Sequence, residues 1–115
     1  MNSQQKAINL LTICRKAGRL TMGFDAVKEK TLEDGMSCVL VADDISLKTL
    51  KEVKFFCNNT KTKIIKIGVD SSEVFDALGK EVVVIGIADH GFAKRFEELG
   101  TPVKATVPRS MKNKE

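Results

Sequence analysis

Tryptophan and tyrosine are absent from this chain of 115 residues, and six phenylalanines are its only aromatic residues. Single-strand binders of the sheet-face or cold-shock kind need several exposed rings for base stacking. Here Phe92 and Phe96 stand at core spacing, and Phe55 and Phe56 are expected to place one ring inside. Only Phe24, beside Gly23, is left as a candidate exposed ring, so that style of binding is disfavoured. Histidine occurs once, at His90, and cysteine three times, at Cys14, Cys38 and Cys57, with no Cys-x-x-Cys pair. A zinc site draws on about four clustered ligands, so no metal and no cofactor is expected. Each cysteine falls in an apolar pattern, which reads as buried, reduced thiols in a cytoplasmic protein. No apolar run approaches the ~18 residues of a membrane span, and the first residues lack the apolar core of a signal peptide. No membrane partner is expected.

Catalytic groupings are equally scarce. His90 follows Asp89, but no serine or cysteine stands at a spacing that completes a nucleophilic set. There is no Walker-type glycine-rich loop. Asp43 and Asp44 after an apolar run suggest a Mg²⁺-binding receiver domain, with Asp89 as phosphoacceptor. The segment after Asp89 is too short to supply the further strands such a domain needs. The pair therefore reads as a strand-to-helix turn, and the chain is not expected to be an enzyme.

What is present is a globular composition: 43% apolar and 30% charged residues, in a length that suits one domain. The net charge is +4, and residues 100–115 contribute Lys104, Arg109, Lys112 and Lys114 against Glu115, a balance of +3. Apolar periodicity stops at Gly100, so the chain divides into a domain over 1–100 and a basic, flexible tail over 101–115. A basic excess of this size permits a nucleic-acid partner without requiring one.

Ala7, Leu10, Leu11, Cys14 and Ala17 mark one face of a first helix over 4–17, stopped by Gly18. A short extended piece over 19–22 leads to Gly23 and a second helix over 24–33. The apolar run 38–42 reads as a strand buried on both faces. Ser46 is placed to cap a third helix with Leu47, Leu50, Val53 and Cys57 inward. A strand over 63–67 follows. Asp70 and Glu73 then have capping-box spacing for a short helix stopped by Gly79. A strand over 82–87 and a helix from Asp89 to Leu99 complete the pattern. Such alternation predicts an α/β sandwich with helices on both sheet faces.

Ala17-Gly18-Arg19-Leu20, then Gly23 and a helix, then Val39-Leu40-Val41-Ala42-Asp43-Asp44-Ile45-Ser46, is similar to the ribosomal family of kink-turn RNA-binding proteins. Gly23-Phe24-Asp25-Ala26-Val27-Lys28 resembles the bacterial YlxQ-like branch of that family. The resemblance covers about residues 4–99. It implies a three-layer α/β/α sandwich with a mixed four-stranded sheet. It also implies an RNA surface where the second helix begins and meets the loop after the short fourth helix.

The residues give that surface a physical basis. A helix N-terminus at Gly23 offers unpaired N–H groups and a positive dipole to phosphate or a base edge. Phe24, Asp25 and Lys28 lie in the first turns, and Arg15, Lys16 and Arg19 are expected nearby. In the following loop, Lys80 suits a phosphate and Val82 an extruded base. Lys48, Lys51 and Lys54 read as an ordinary solvated face.

The family pattern at the helix start, Gly-x-Asn-Glu-x-x-Lys, is matched here only at Gly23; Asp25, Ala26 and Glu29 replace the rest. Ionised Asp accepts but cannot donate, and Glu repels the phosphate that Lys attracts. The expected function is non-catalytic binding of structured, ribosomal RNA, with ribosome association. The alternative is a protein-interaction module that kept the fold and lost specific RNA binding.

Overall fold

A computed structural model describes residues 2–104. In chain order the elements are α1 (Ser3–Lys16), β1 (Leu20–Met22), α2 (Phe24–Leu32), β2 (Cys38–Val41), α3 (Leu47–Thr60), β3 (Lys63–Lys66), α4 (Ser71–Leu78), β4 (Val84–Ile87), α5 (His90–Leu99) and β5 (Thr101–Val103). The strands form one mixed sheet in the order β1-β4-β2-β3-β5. β2 and β3 are parallel, with Cys38 opposite Lys63, while β4 runs antiparallel to both β1 and β2.

The sheet separates two apolar layers because alternate strand residues point to opposite faces. Cys38, Leu40, Ile65, Ile85 and Ile87 meet the helix residues Leu10, Leu11, Cys14, Val74, Leu78 and Phe96 on one side. Val39, Val41, Ile64 and Val84 meet Val27, Val53, Phe56 and Cys57 on the other. Helices α1, α4 and α5 therefore cover one face and α2 and α3 the other. This is the three-layer α/β/α sandwich the sequence predicts, and all three thiols are buried in it.

Three expectations are corrected. The sheet has five strands, because Thr101–Val103 pairs antiparallel with β3, placing Pro102 opposite Ile65. The division after Gly100 therefore does not mark the end of the folded sheet; the remainder of the expected tail, 105–115, lies outside the described residues. Leu47 is 85% exposed rather than inward, since it lies about 120° around α3 from Val53 at 100° per residue. That helix closes at Thr60, whose Oγ1 donates to the carbonyl of Phe56 at 3.0 Å, before Lys61 with φ 57°.

Strand direction sets what lies at each end of the sheet. At one end, Gly23 N–H donates to the Val84 carbonyl at 2.9 Å and Ala42 N–H to that of Val83 at 3.0 Å. Asp43 N–H donates to the Val69 carbonyl at 2.8 Å at the same end. Since β1, β2 and β3 all run toward this end, α2, α3 and α4 all begin there. At the opposite end Ala88 N–H donates to the Arg19 carbonyl at 3.0 Å and Ser37 N–H to that of Ile87 at 2.7 Å.

Candidate nucleic-acid interface

Helix starts leave backbone N–H groups without intrahelical partners, and a side-chain acceptor normally takes one of them. Asn2, Ser46, Asp70 and Asp89 do so for α1, α3, α4 and α5. For α4 the cap is a full capping box, with the Glu73 side chain accepting from Asp70 N–H at 3.1 Å. The start of α2 differs. Its N-cap is Gly23, at φ 102° and ψ 147°, and no side chain caps it. The first intrahelical bond, from Val27 N–H to the Gly23 carbonyl at 3.0 Å, leaves the amides of Phe24, Asp25 and Ala26 outside the ladder.

The side chains around these amides sort by burial. Val27 is fully buried and fixes the inward face of α2, while Asp25, Ala26, Lys28 and Glu29 are exposed. The three positions that depart from the family pattern thus share the outward surface of the first two turns. Phe24 is half-buried: its ring meets Phe56 edge-on, with centroids 5.8 Å apart, and the Lys28 ammonium stands 6.0 Å from its centroid. Phe24 is therefore partly a core residue, with a cation beside its ring.

The loop after α4 comes to this site, as the resemblance implies, because Gly23 bonds directly to Val84. Val82 does not present itself there. It is 9% exposed and packs into the larger core, while Val83 is half-buried on the side of α2 and α3. Lys80 is exposed.

Arg15, Lys16 and Arg19 do not gather at Gly23. Arg19 lies at the far end of β1, about 13 Å from Gly23 at strand rise. Lys16 ends α1 on the approach to Arg19. Arg15 donates from Nη1 to the carbonyl of Leu78, two residues before Lys80. Nearness in sequence misleads here because β1 carries the chain away from these cations before α2 starts. The structure forms one group of Gly23, Phe24, Asp25 and Lys28, and a second in which Arg15 is tied to the base of the Lys80 loop.

The acidic pair also has a structural role. The Asp44 carboxylate accepts from Ser71 N–H at 2.9 Å and from Ser71 Oγ at 2.5 Å, which ties the turn after β2 to the start of α4. The Ser71 hydroxyl holds the Asp44 carboxyl below its ordinary pKa of 3.8. Burial pushes the thiol of Cys14 up to about 11 and those of Cys38 and Cys57 to about 12. They remain protonated and unreactive at neutral pH. No helix of the described residues is long and apolar enough to cross a membrane.

Comparison with known proteins bears on the family and the fold. No family model matches the chain. The RNA-binding protein YlxQ of Enterococcus faecium is 32% identical over 97 residues, spanning 84% of this chain and 93% of that protein. Among solved structures, a Bacillus halodurans protein of unknown function superposes with a TM-score of 0.74 at 26% identity, covering 82% of this chain and 95% of that one. The Giardia lamblia 15.5kD RNA binding protein shares the fold, with a TM-score of 0.68 at 13% identity and 86% of each chain covered. The identity shared along most of both sequences places this chain in the YlxQ family.

Proposed function

We propose that this chain binds structured RNA, ribosomal RNA above all, as a non-catalytic cytoplasmic protein that associates with the ribosome. The observation that carries the reading is the uncapped start of α2. Its amides have no capping side chain, with Lys28 one turn in and the 79–83 loop alongside. A phosphate or base edge satisfies such amides where no side chain of the protein does. The name of the Enterococcus faecium relative supports RNA as the ligand.

Asp25, Ala26 and Glu29 set the specificity. The backbone of α2 offers its N–H groups whatever these side chains are. The side-chain donors and the cation that would read a kink-turn are missing. The natural chain should bind a kink-turn RNA weakly, with little preference over a plain hairpin. Asp25→Asn, Ala26→Glu and Glu29→Lys together should raise kink-turn affinity at least about tenfold, since each well-made polar contact contributes ~1–3 kcal/mol. Titration of both proteins against both RNAs at one salt concentration decides this. Tight, selective kink-turn binding by the natural chain would remove the weight placed on these positions. The same three departures favour the second reading, a protein-interaction module. It would gain if the natural chain bound neither RNA at low salt.

A further inference from the structure

Helix α3 turns a ring outward that the core does not use. Val53, Phe56 and Cys57 define its buried side. At 100° per residue, Lys51 and Phe55 fall at the centre of the opposite side. Phe55 is 57% exposed, and Leu47, two turns earlier, is 85% exposed. Phe56 supplies the ring that meets Phe24 and fills the core, so Phe55 is free of that task. Lys48 and Lys51 are exposed and Lys54 is half-exposed, against one carboxylate on the helix, the exposed Glu52, and none of the three pairs with a carboxylate among the described residues. The other strongly exposed phenylalanine, Phe75, has Asp76 beside it on a helix without a cation.

We propose that the outward face of α3 is a second RNA contact, on which Phe55 stacks an unpaired base while Lys48 and Lys51 neutralise the flanking phosphates. This rests on the RNA-binding reading and extends it from the start of α2 to a single-stranded neighbour of the structured site. Helices α2 and α3 cover the same sheet face and start at the same end, while the Phe24–Phe56 contact lies on the buried side of α3, so the RNA strand passes around α3 to reach Phe55. Charge selects the occupant. A second copy of the chain would oppose the same three lysines to its own. A lipid surface favours a continuous apolar stripe. Here Leu47 and Phe55 are about 12 Å apart along the axis, with Lys51 between them. An aromatic ring among cations is the arrangement that suits a single strand, whose bases stack and whose backbone is anionic.

The test uses a labelled RNA hairpin with a short single-stranded 3′ extension and the same hairpin without it. Phe55→Ala should weaken binding of the extended hairpin by about five- to 150-fold, the loss expected for one stacked base, and leave the blunt hairpin unchanged. Phe55→Trp should retain the affinity. Lys48→Gln with Lys51→Gln should lower the log–log salt slope for the extended RNA by about 1.4, at ~0.7 per contact on a single strand. Since all three side chains lie on the surface, thermal melts of the variants should match the natural chain. Equal affinities of the natural chain and Phe55→Ala for the extended hairpin would overturn this proposal alone. Failure of the natural chain to bind either hairpin would overturn it together with the RNA-binding reading. Sedimentation with phosphatidylserine vesicles that Phe55→Ala abolishes, with RNA affinity untouched, would assign the face to a lipid surface instead.

Discussion

Gly23 joins β1 to α2 at φ 102° and ψ 147°, a conformation open to glycine and strained for any residue with a Cβ. An added Cβ would meet no heavy atom within 4 Å, so the restriction is one of backbone and not of space. Both polar groups of the residue are used: its N–H holds the start of β4 and its carbonyl accepts the first bond of α2. Gly23→Ala should therefore cost about 1–3 kcal/mol, measured by urea denaturation. If the amides of α2 carry the RNA contact, hairpin affinity should fall as well, because the strain is relieved by turning those amides. Unchanged affinity in a destabilised variant would separate the fold's need for glycine from the site's. The sequence makes Gly23 legible as the residue before a helix, but not its φ. Neither does it reveal that Phe24 turns halfway into the core, since the ring's partner, Phe56, lies 32 positions away.

Elements with a long apolar period were the readable ones. α1, β2, α4 and α5 fall within a residue or two of their sequence-based limits, because burial on one or both faces imposes a pattern on them. β5 carries no such pattern. It has three residues, two of them exposed, and one is a proline. Proline inside a strand argues against a strand except at a sheet edge, and the edge is where Pro102 lies. Its pairing with β3 holds β5 in place, and the turn before it packs closely against β3. A Cβ at Gly100 would come within 2.5 Å of Ile65 Cγ2 and 2.6 Å of the Lys66 carbonyl oxygen. The second of these is backbone and cannot step aside without moving β3. Gly100→Ala should destabilise the protein by about 1–3 kcal/mol and weaken the β3–β5 pairing first. Hydrogen exchange would show this as faster exchange at Lys66 and Val103 than at Leu40. Equal protection at all three would mean that the turn adapts without releasing the strand.

Across the whole molecule, two apolar layers share one sheet, and the three thiols divide between them: Cys14 and Cys38 on the side of α1, α4 and α5, Cys57 on the side of α2 and α3. Strand direction, which the sequence does not state, decides that Arg19, before β1, lies away from Gly23. It also brings the starts of α2, α3 and α4 to one end. The thiols report whether the two layers open together. Burial raises all three above the ordinary 9.0, to about 11 for Cys14 and about 12 for Cys38 and Cys57. A raised folded value means that the native state keeps protons the unfolded chain releases. This contribution to stability is complete below about pH 9 and is lost as pH rises through the folded values. Melting temperature should therefore decline above pH 9. At neutral pH a disulfide reagent should reach the buried thiols only through opening of the fold, and so label all three at one common rate set by global opening. Faster labelling of Cys57 than of Cys14 would show that the layer of α2 and α3, which carries both proposed RNA contacts, opens on its own.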